Sequence, residues 1–485
     1  MGVREVETVI IGAGLGGIAA ALALADRGRT DVVLLERGDG PGGVWRANTY
    51  PGAACDVPSP YYSFAAFPRL DWPRRYSTQP DILDYIHRVV DRAGLAEKIV
   101  TGTEVTAAVY DEGAARWTVR CANGDEYRAR FLIPAVGQLS EPAPITVPGA
   151  GRFTGTAFHT ARWDHTVEMS GRRIAVVGTG ASAVQVVAAL ADQAGSLRVF
   201  QRSPAHLLPR LDQAYGPRLH RLFARFPWLV RAERGFWWAF AELWTLAVLG
   251  NPVVDRLFRT WSWLQRRIQI RDPELRVALT PTHPMGCKRV LFSSDYYPAL
   301  QRENVRLITD PIDAVTETGI RTVDGTEHEV DVIVYATGFD TQHFCDRIDI
   351  RGRGGRALAA QWQGGARAYL GIAVPGFPNM GLMYGPNTNL GTGSILYMME
   401  RQARYIAEAI DRLDRAGLAA AEVREEVEQA YDVQIQRELA GTAWARCDSW
   451  YRTAGGRITS NWPRTVSAYD RALAAVDPAD YRPVA

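Results

Sequence analysis

The sequence predicts an α/β fold in which two dinucleotide-binding units lie far apart in the chain. Each unit begins with a short apolar strand, continues through a glycine turn into a helix rich in small aliphatic residues, and ends on a second strand. The first unit spans residues 8–35 and the second spans residues 173–200. Alternating patterns at 117–121 and 131–135 predict an antiparallel meander that joins the first sheet. We therefore expect two Rossmann-like domains.

The glycine turn of the first unit predicts a pyrophosphate site. Gly12, Gly14 and Gly17 fill the three positions at which the backbone must approach the pyrophosphate and the helix N-terminus must face its charge. Glu36 ends the following strand, where an acid can bind both ribose hydroxyls of an adenosine. The alternative is that the glycines only tighten a turn and that Glu36 is a solvated strand end.

The second unit repeats this plan with one informative difference. Gly178 and Gly180 occupy the first two glycine positions, and Ala183 takes the third, where a small side chain is sufficient for helix packing. In both units the first glycine and the residue just after the next strand are 24 residues apart. Arg202 is therefore the positional equivalent of Glu36.

The opposite charges at these equivalent positions predict different nucleotides. An acid repels a 2′-phosphate, whereas a guanidinium binds it through two hydrogen bonds. We expect FAD in the first unit and NADPH, in preference to NADH, in the second. The alternative for Arg202 is a solvated surface residue without a ligand.

The chain of 485 residues is long enough for two or three domains. We predict a discontinuous FAD-binding domain at 1–150 and 330–485, which includes a strand at 330–335. The NADP-binding domain is placed at 165–330. Residues 204–281, rich in aromatic residues and arginine, are predicted to form a helical insertion within it.

Charge and cysteine content exclude several classes of partner. The formal net charge of +2 provides no strong field for nucleic acid or for anionic lipid. The five cysteines are scattered and contain no CxxC pair, which argues against a disulfide framework and against a metal site. The N-terminus runs directly into an apolar strand without the features of a signal peptide. We expect a cytoplasmic protein, and its oligomeric state stays open.

The most apolar stretch, at 236–249, is interrupted by Glu242 and is shorter than the roughly 20 residues that a membrane span needs. Trp237, Phe240 and Trp244 share one helical face, and we favour packing of the inserted helices as their role. The alternatives are a wall or lid for a bulky apolar substrate and a surface that touches a membrane.

Two further motifs carry a family resemblance. The run Gly42-Gly43-Val44-Trp45, followed by Tyr50-Pro51-Gly52 and then Asp56, resembles the flavin-side signature of class B flavoprotein monooxygenases. Residues 153–164 match the pattern FxGxxxHxxxW with a following acid, and this pattern resembles the fingerprint of type I Baeyer-Villiger monooxygenases. Its four fixed positions are Phe153, Gly155, His159 and Trp163.

The resemblance implies a role for individual residues. Gly43, Trp45, Asp56 and Trp450 would contact the cofactors, and Trp450 follows Ser449 in a pair that the resemblance also covers. Lys288 would join Arg202 at the 2′-phosphate. Arg289 would stand over the flavin and the nicotinamide, held there by Asp56. His159 would have a structural or gating role as part of an interdomain link, although a direct chemical role is the alternative.

The implied reaction is Baeyer-Villiger oxidation of an apolar ketone to an ester or lactone. NADPH reduces FAD, O₂ adds to the reduced ring, and the resulting C4a-peroxyflavin must stay deprotonated to attack the carbonyl. Arginine suits this task because it keeps its proton at neutral pH while it stabilises negative charge. For Arg289 and Asp56 the alternative is a domain-joining ion pair. The competing functions are an N- or S-oxygenase on the same scaffold and an NADPH-oxidising flavoprotein or sensor without oxygenation.

Overall fold

The structure is a computed structural model that describes residues 2–342, 344–447 and 450–484. Its strands alternate with helices along most of the chain. The strands are β1 (Arg4–Ile11), β2 (Val32–Leu35), β3 (Ile99–Val100), β4 (Val105–Asp111), β5 (Arg116–Cys121), β6 (Glu126–Pro134), β7 (Thr156–His159), β8 (Arg173–Val177), β9 (Ser196–Phe200), β10 (Leu207–Leu208), β11 (Leu291–Phe292), β12 (Val305–Ile308), β13 (Ile312–Val315), β14 (Gly319–Thr322), β15 (Glu327–Glu329), β16 (Val332–Tyr335), β17 (Asp349–Arg351), β18 (Ala420–Val423) and β19 (Tyr481–Val484).

The helices cover the sheets and also form a group of their own in the middle of the chain. They are α1 (Leu15–Ala25), α2 (Val44–Ala47), α3 (Gln79–Arg92), α4 (Ala181–Leu190), α5 (Pro217–Arg225), α6 (Trp228–Val248), α7 (Pro252–Gln269), α8 (Pro273–Ala278), α9 (Tyr296–Ala299), α10 (Leu358–Gln361), α11 (Ile395–Arg415), α12 (Glu425–Leu439) and α13 (Val466–Ala472).

The first sheet has the strand order β17-β4-β5-β6-β1-β2-β3 in the described residues. Strand β1 lies between β2 and β6 and is parallel to both, and the buried apolar run at its end is typical of a parallel strand covered on both faces. The antiparallel pairs β4–β5 and β5–β6 confirm the predicted meander. Helix α11 packs against α1, which returns the C-terminal part of the chain to this sheet.

The second sheet is parallel throughout the part described, with the order β12-β9-β8-β16-β7. The strand predicted at 330–335 was assigned to the first domain, and this assignment is wrong. Strand β16 pairs with β8 on one side and with β7 on the other, so it belongs to the second sheet. A buried apolar strand has the same sequence pattern in either sheet, and only the pairing decides its place. Because β7 also pairs here, the second sheet begins before residue 165.

Helices α5, α6, α7 and α8 follow β9 in the chain and precede β12. Trp244 and Phe258 hold α6 against α7, with ring centroids 3.9 Å apart in an edge-to-face arrangement. The three residues 249–251 connect these two helices, which pack against each other. None of the helices in the described parts of the chain is both long enough and apolar enough to cross a membrane.

The cysteine spacing argued against a disulfide framework, and the structure corrects this for one pair. Cys287 and Cys447 are joined by a disulfide with their Cα atoms 6.1 Å apart, although 160 residues separate them in the chain. Spacing along the sequence gives no information on such a contact, because only tertiary packing brings the two loops together. The other cysteines are free and buried. The predicted cytoplasmic location, which rested partly on cysteine spacing, stays a prediction.

Candidate active site

The first glycine turn is shaped by contacts that only glycine avoids. Gly12 has a φ of 103°, and a side chain there would lie 2.8 Å from the carbonyl oxygen of Ala135. A methyl group at Gly17 would lie 1.9 Å from the Gly12 carbonyl oxygen, far inside van der Waals contact. A side chain at Gly43 would lie 3.0 Å from the Cα of Gly14. The backbone at the start of α1 therefore stays bare, as a pyrophosphate site requires.

Glu36 is fixed at the end of β2 by the backbone around it. Its side chain is buried, and its carboxylate oxygens accept hydrogen bonds from the amides of Ala13 and Gly38, each at 2.8 Å. Each oxygen keeps a second lone pair, which suits a ribose hydroxyl. The carboxylate that the sequence singled out is thus held beside the glycine turn.

Gly43 and Trp45, predicted at the cofactor from the family resemblance, lie at the start of α2. The indole Nε1 of Trp45 donates to the Tyr62 hydroxyl at 3.0 Å, and the Gln79 side-chain amide donates to the Trp45 carbonyl. The Gln79 bond holds α2 against α3, and the Gly42 amide, which donates to the Ala13 carbonyl at 3.0 Å, holds the start of α2 against the first glycine turn.

The second glycine turn has the same design. Gly178 has a φ of 121°, and a side chain there would lie 2.5 Å from the carbonyl oxygen of Ala336. A side chain at Gly180 would meet open space, so the N-terminus of α4 is accessible. Ala183 is fully buried in the core of the second sheet, which explains why a small residue is sufficient at this place.

Arg202 and Lys288 lie close together beside this turn. The Lys288 ammonium donates to the hydroxyl of Ser203, and the Thr179 hydroxyl donates to the Ser203 carbonyl at 2.9 Å. Burial lowers the pKa of Lys288, and the nearby charge of Arg202 lowers it further. Within the described ranges, no carboxylate forms an ion pair with either cation. Two adjacent, uncompensated cations favour an anion such as a phosphate.

The loop from Tyr50 to Asp56 docks on helix α4 of the second unit. The Tyr50 hydroxyl donates to the side-chain oxygen of Gln185 at 2.9 Å, and the Gln185 amide donates back to the Ala54 carbonyl at 2.9 Å. Gly52 comes so close to α4 that a side chain there would lie 2.7 Å from the Gln185 carbonyl oxygen. This loop therefore fixes the first glycine turn relative to the second.

Arg289 and Asp56 form an ion pair across the two units. The Nη2 atom of Arg289 donates to both carboxylate oxygens of Asp56, at 2.7 and 2.8 Å. The charge of Asp56 raises the pKa of Arg289, and Tyr451 and Tyr384 contribute in the same direction. The Arg289 side chain is 44% exposed and that of Asp56 is 18% exposed. The guanidinium is thus a permanent cation, held at one edge and open to a ligand at the other.

The C-terminal loop lies beside Arg289. The disulfide joins Cys447 to Cys287, which stands two residues before Arg289 in the chain. Trp450 is 41% exposed and contacts the buried Tyr451, with ring centroids 4.0 Å apart and the ring planes tilted by 36°. Burial raises the pKa of Tyr451 to about 12, so its hydroxyl keeps its proton. Ser449, predicted together with Trp450, lies outside the described residues.

The fingerprint residues form the edge of the second sheet. Gly155 precedes β7, and a side chain there would lie 2.6 Å from the carbonyl oxygen of Asp331. Trp163 packs edge-to-face on Phe158, and Phe153 joins a neighbouring core cluster. His159 ends β7, is buried, and accepts a hydrogen bond from the Ala161 amide at 3.1 Å. Burial lowers the pKa of His159, so its ring is neutral at pH 7. These contacts favour the structural role over a chemical one.

Sequence reasoning missed Gln185 and Arg210. One Nη atom of Arg210 donates to the carbonyls of Cys55 and Tyr76, at 3.3 and 2.9 Å, and so holds the backbone next to Asp56. Arg210 is one of many arginines in the insertion, and no sequence pattern distinguishes it from the others. Gln185 could have been noticed as the one long polar side chain in a helix of Ala, Val, Leu and a single Ser that begins at a glycine turn.

The comparisons with known proteins agree with this geometry. Residues 9–216 match the family model described as pyridine nucleotide-disulphide oxidoreductase. A Baeyer-Villiger monooxygenase of Streptomyces coelicolor is 38% identical over 99% of this chain and 93% of its own length. One of Pseudomonas aeruginosa is 38% identical over 95% of this chain and 88% of its own length.

Solved structures show the same fold over the full length. An oxidized steroid monooxygenase bound to NADP has a TM-score of 0.87 at 31% identity, covering 99% of this chain and 100% of the other. A closed structure of cyclohexanone monooxygenase has a TM-score of 0.88 at 29% identity and covers 99% of each chain.

Two glycine turns on separate sheets, with an acid beside one and cations beside the other, define a two-nucleotide oxidoreductase of the flavin-dependent monooxygenase class. With relatives of this similarity over nearly its whole length, the chain belongs to the Baeyer-Villiger monooxygenase family.

Proposed function

We propose that the protein is an NADPH- and O₂-dependent flavin monooxygenase that inserts one oxygen atom beside the carbonyl of an apolar ketone and forms an ester or lactone. The observation that carries this proposal is the Arg289–Asp56 pair, which joins the two nucleotide units and leaves one edge of the guanidinium open. The structures of OTEMO in complex with FAD and NADP, and of a cyclohexanone monooxygenase bound to NADP+, support the cofactor assignment.

The residues of the first turn fit FAD. Gly12 and Gly17 leave no room for side chains, so the amides at the start of α1 are available to a pyrophosphate. Glu36 presents its remaining lone pairs to a ribose and would repel a 2′-phosphate. When bound, FAD supplies hydride acceptance and the activation of O₂.

The residues of the second turn fit NADPH. Gly180 exposes the N-terminus of α4, and Arg202 with Lys288 provides two positive charges for a 2′-phosphate. Binding of that phosphate removes the repulsion between the two cations, because each then has an anionic partner. NADH offers no such partner.

Arg289 stabilises negative charge on the reacting oxygens. Arginine does not give up its proton at neutral pH, so it lowers the energy of an oxyanion without protonating it. Asp56 fixes the direction of the guanidinium through two hydrogen bonds from one nitrogen, and Arg210 holds the backbone beside Asp56. This arrangement keeps the cation in place while the other Nη atom and Nε stay available to the substrate.

The test is product analysis under ¹⁸O₂. Purified protein is supplied with FAD, NADPH and a panel of cyclic and linear ketones, and the products are identified by mass spectrometry. The proposal expects a lactone or ester that carries one ¹⁸O atom, with NADPH consumed in proportion. A protein that takes up no flavin, or that converts all of its NADPH and O₂ into H₂O₂ with every ketone, contradicts it.

A further inference from the structure

The outward face of helix α6 is apolar along its whole length. Its large exposed residues are Trp228, Phe236, Leu243 and Leu246, with exposed fractions of 59, 62, 43 and 36%. At about 100° per residue these side chains lie within an arc of about 80° on the helix. The inner face, which includes Trp237 and Trp244, packs into the protein. A surface helix normally presents charged residues to water, and α6 does the reverse.

Helix α7 repeats this arrangement. Val253, Leu257, Leu264 and Ile268 are 76, 58, 44 and 70% exposed and lie within about 60° of one another around the helix. The neighbouring Trp263 is 53% exposed. We call the exposed residues of α6 and α7 the apolar ridge. Its two helices are joined by residues 249–251 and pack against each other through Trp244 and Phe258, so both exposed faces belong to one pair of packed helices.

The clustering of these residues is not the ordinary scatter of apolar side chains on a protein surface. Thirteen of the eighteen large hydrophobic residues that are exposed in the described chain lie between 211 and 277. Contiguous apolar patches of this kind mark a contact surface in soluble proteins.

The ridge also stands in the most basic part of the chain. Residues 204–281 contain twelve arginines, no lysine and six acids, a net charge of +6. The whole chain carries +2, so the remaining residues carry −4. Arg231, Arg256 and Arg267 are exposed on α6 and α7, and no carboxylate of the described residues pairs with them. Cations are thus interleaved with the apolar side chains.

We propose that the apolar ridge docks the protein on the surface of an anionic lipid membrane, with α6 and α7 lying in the interfacial plane. Apolar side chains enter the boundary between headgroups and acyl chains, arginines pair with lipid phosphates, and Trp228 and Trp263 occupy the interface that tryptophan prefers. A second copy of the chain fits this surface less well, because a symmetric dimer would bring together the exposed arginines of the two ridges, which have no carboxylate partner in the described residues.

A depression of about 490 Å³ next to Phe236 of the apolar ridge supports a lipid membrane as the binding partner. Its lining is mostly apolar and includes Ala232 and Phe236 from the exposed face of α6. Acyl segments or apolar solutes of a bilayer match such a lining, whereas a charged protein partner does not.

The experiment is co-sedimentation of the FAD-loaded protein with vesicles. One set of vesicles contains phosphatidylglycerol and phosphatidylcholine, and the other contains phosphatidylcholine alone. We expect binding to the anionic vesicles that exceeds binding to the neutral ones and weakens as salt is raised. Equal or absent binding to the two kinds of vesicle at low salt overturns the proposal.

Two pairs of substitutions test the ridge directly. Leu257→Gln with Ile268→Gln should weaken binding about tenfold or more, because two exposed apolar side chains no longer enter the interface. Val323→Gln is the control, since Val323 is 62% exposed in the turn between β14 and β15, outside the helices. Bound flavin and the thermal midpoint report that each variant is folded.

Arg256→Gln with Arg267→Gln should weaken binding to the anionic vesicles by about 25-fold and leave the weak binding to neutral vesicles unchanged. Arg128→Gln removes an exposed charge from β6 and serves as the control. If the ridge variants bind vesicles like the unmodified protein, or if they instead convert a dimer into a monomer, the ridge is not a membrane surface and the proposal fails.

Discussion

The cations at the second glycine turn allow a quantitative prediction about nucleotide choice. Arg202→Ala removes one of the two charges available to a 2′-phosphate. A hydrogen bond to a charged group contributes about 1.5–3 kcal/mol, and the exposed position of Arg202 places its contribution near the lower end, or about tenfold in KM for NADPH. Lys288 is less exposed, and Lys288→Ala should raise this KM by about 30-fold.

The assay is steady-state oxidation of NADPH and of NADH at saturating ketone. The KM for NADH should change by no more than about twofold, because NADH has no 2′-phosphate for these cations to bind. Arg306→Ala on β12 is the control, since it removes an exposed arginine of the same domain and should alter neither KM. Equal effects of Arg202→Ala on the two nucleotides would refute the reasoning.

Four further results are expected. Arg289→Ala should keep its flavin and its reduction by NADPH while ester or lactone formation disappears, and retained product would remove its proposed role. Gly17→Ala should be purified without flavin, because the added methyl group meets the Gly12 carbonyl oxygen; Gly235→Ala, which meets open space, should stay yellow. Burial lowers the pKa of His206 from 6.5 to about 4, so protonation destabilises the fold as pH falls through this window. The unmodified protein should lose free energy of unfolding between pH 7 and pH 4. In His206→Gln this loss, measured in unfolding experiments, should be smaller by about 3 kcal/mol. Finally, the denatured and unreduced protein should contain three titratable thiols, and five would contradict the disulfide.

Local sequence patterns were sufficient for the nucleotide-binding turns. A side chain would collide with backbone at three of the glycines, namely Gly12, Gly17 and Gly178. Only glycine fits such a position, so any sequence that folds in this way must have glycine there. The equal spacing from each turn to Glu36 and Arg202 also holds in the structure, since both residues follow the second strand of their unit.

The contacts between the two units were not visible in the sequence. Gln185 hydrogen-bonds the Tyr50–Asp56 loop, and Arg210 reaches the backbone beside Asp56 from 154 residues further along the chain. The Arg289–Asp56 pair was named only because the family motif suggested it. Its distances and its exposed edge come from the structure.

By itself, the sequence determined the two βαβ units, the charge at each nucleotide position and the helical character of the insertion, because each depends on residues that are neighbours along a strand, turn or helix. Tertiary structure decided that β16 lies between β8 and β7, that Cys287 meets Cys447, and that the outward face of α6 stays uncovered. The physical reason is that periodicity fixes which residues share a face, whereas pairing and burial depend on segments far apart in the chain.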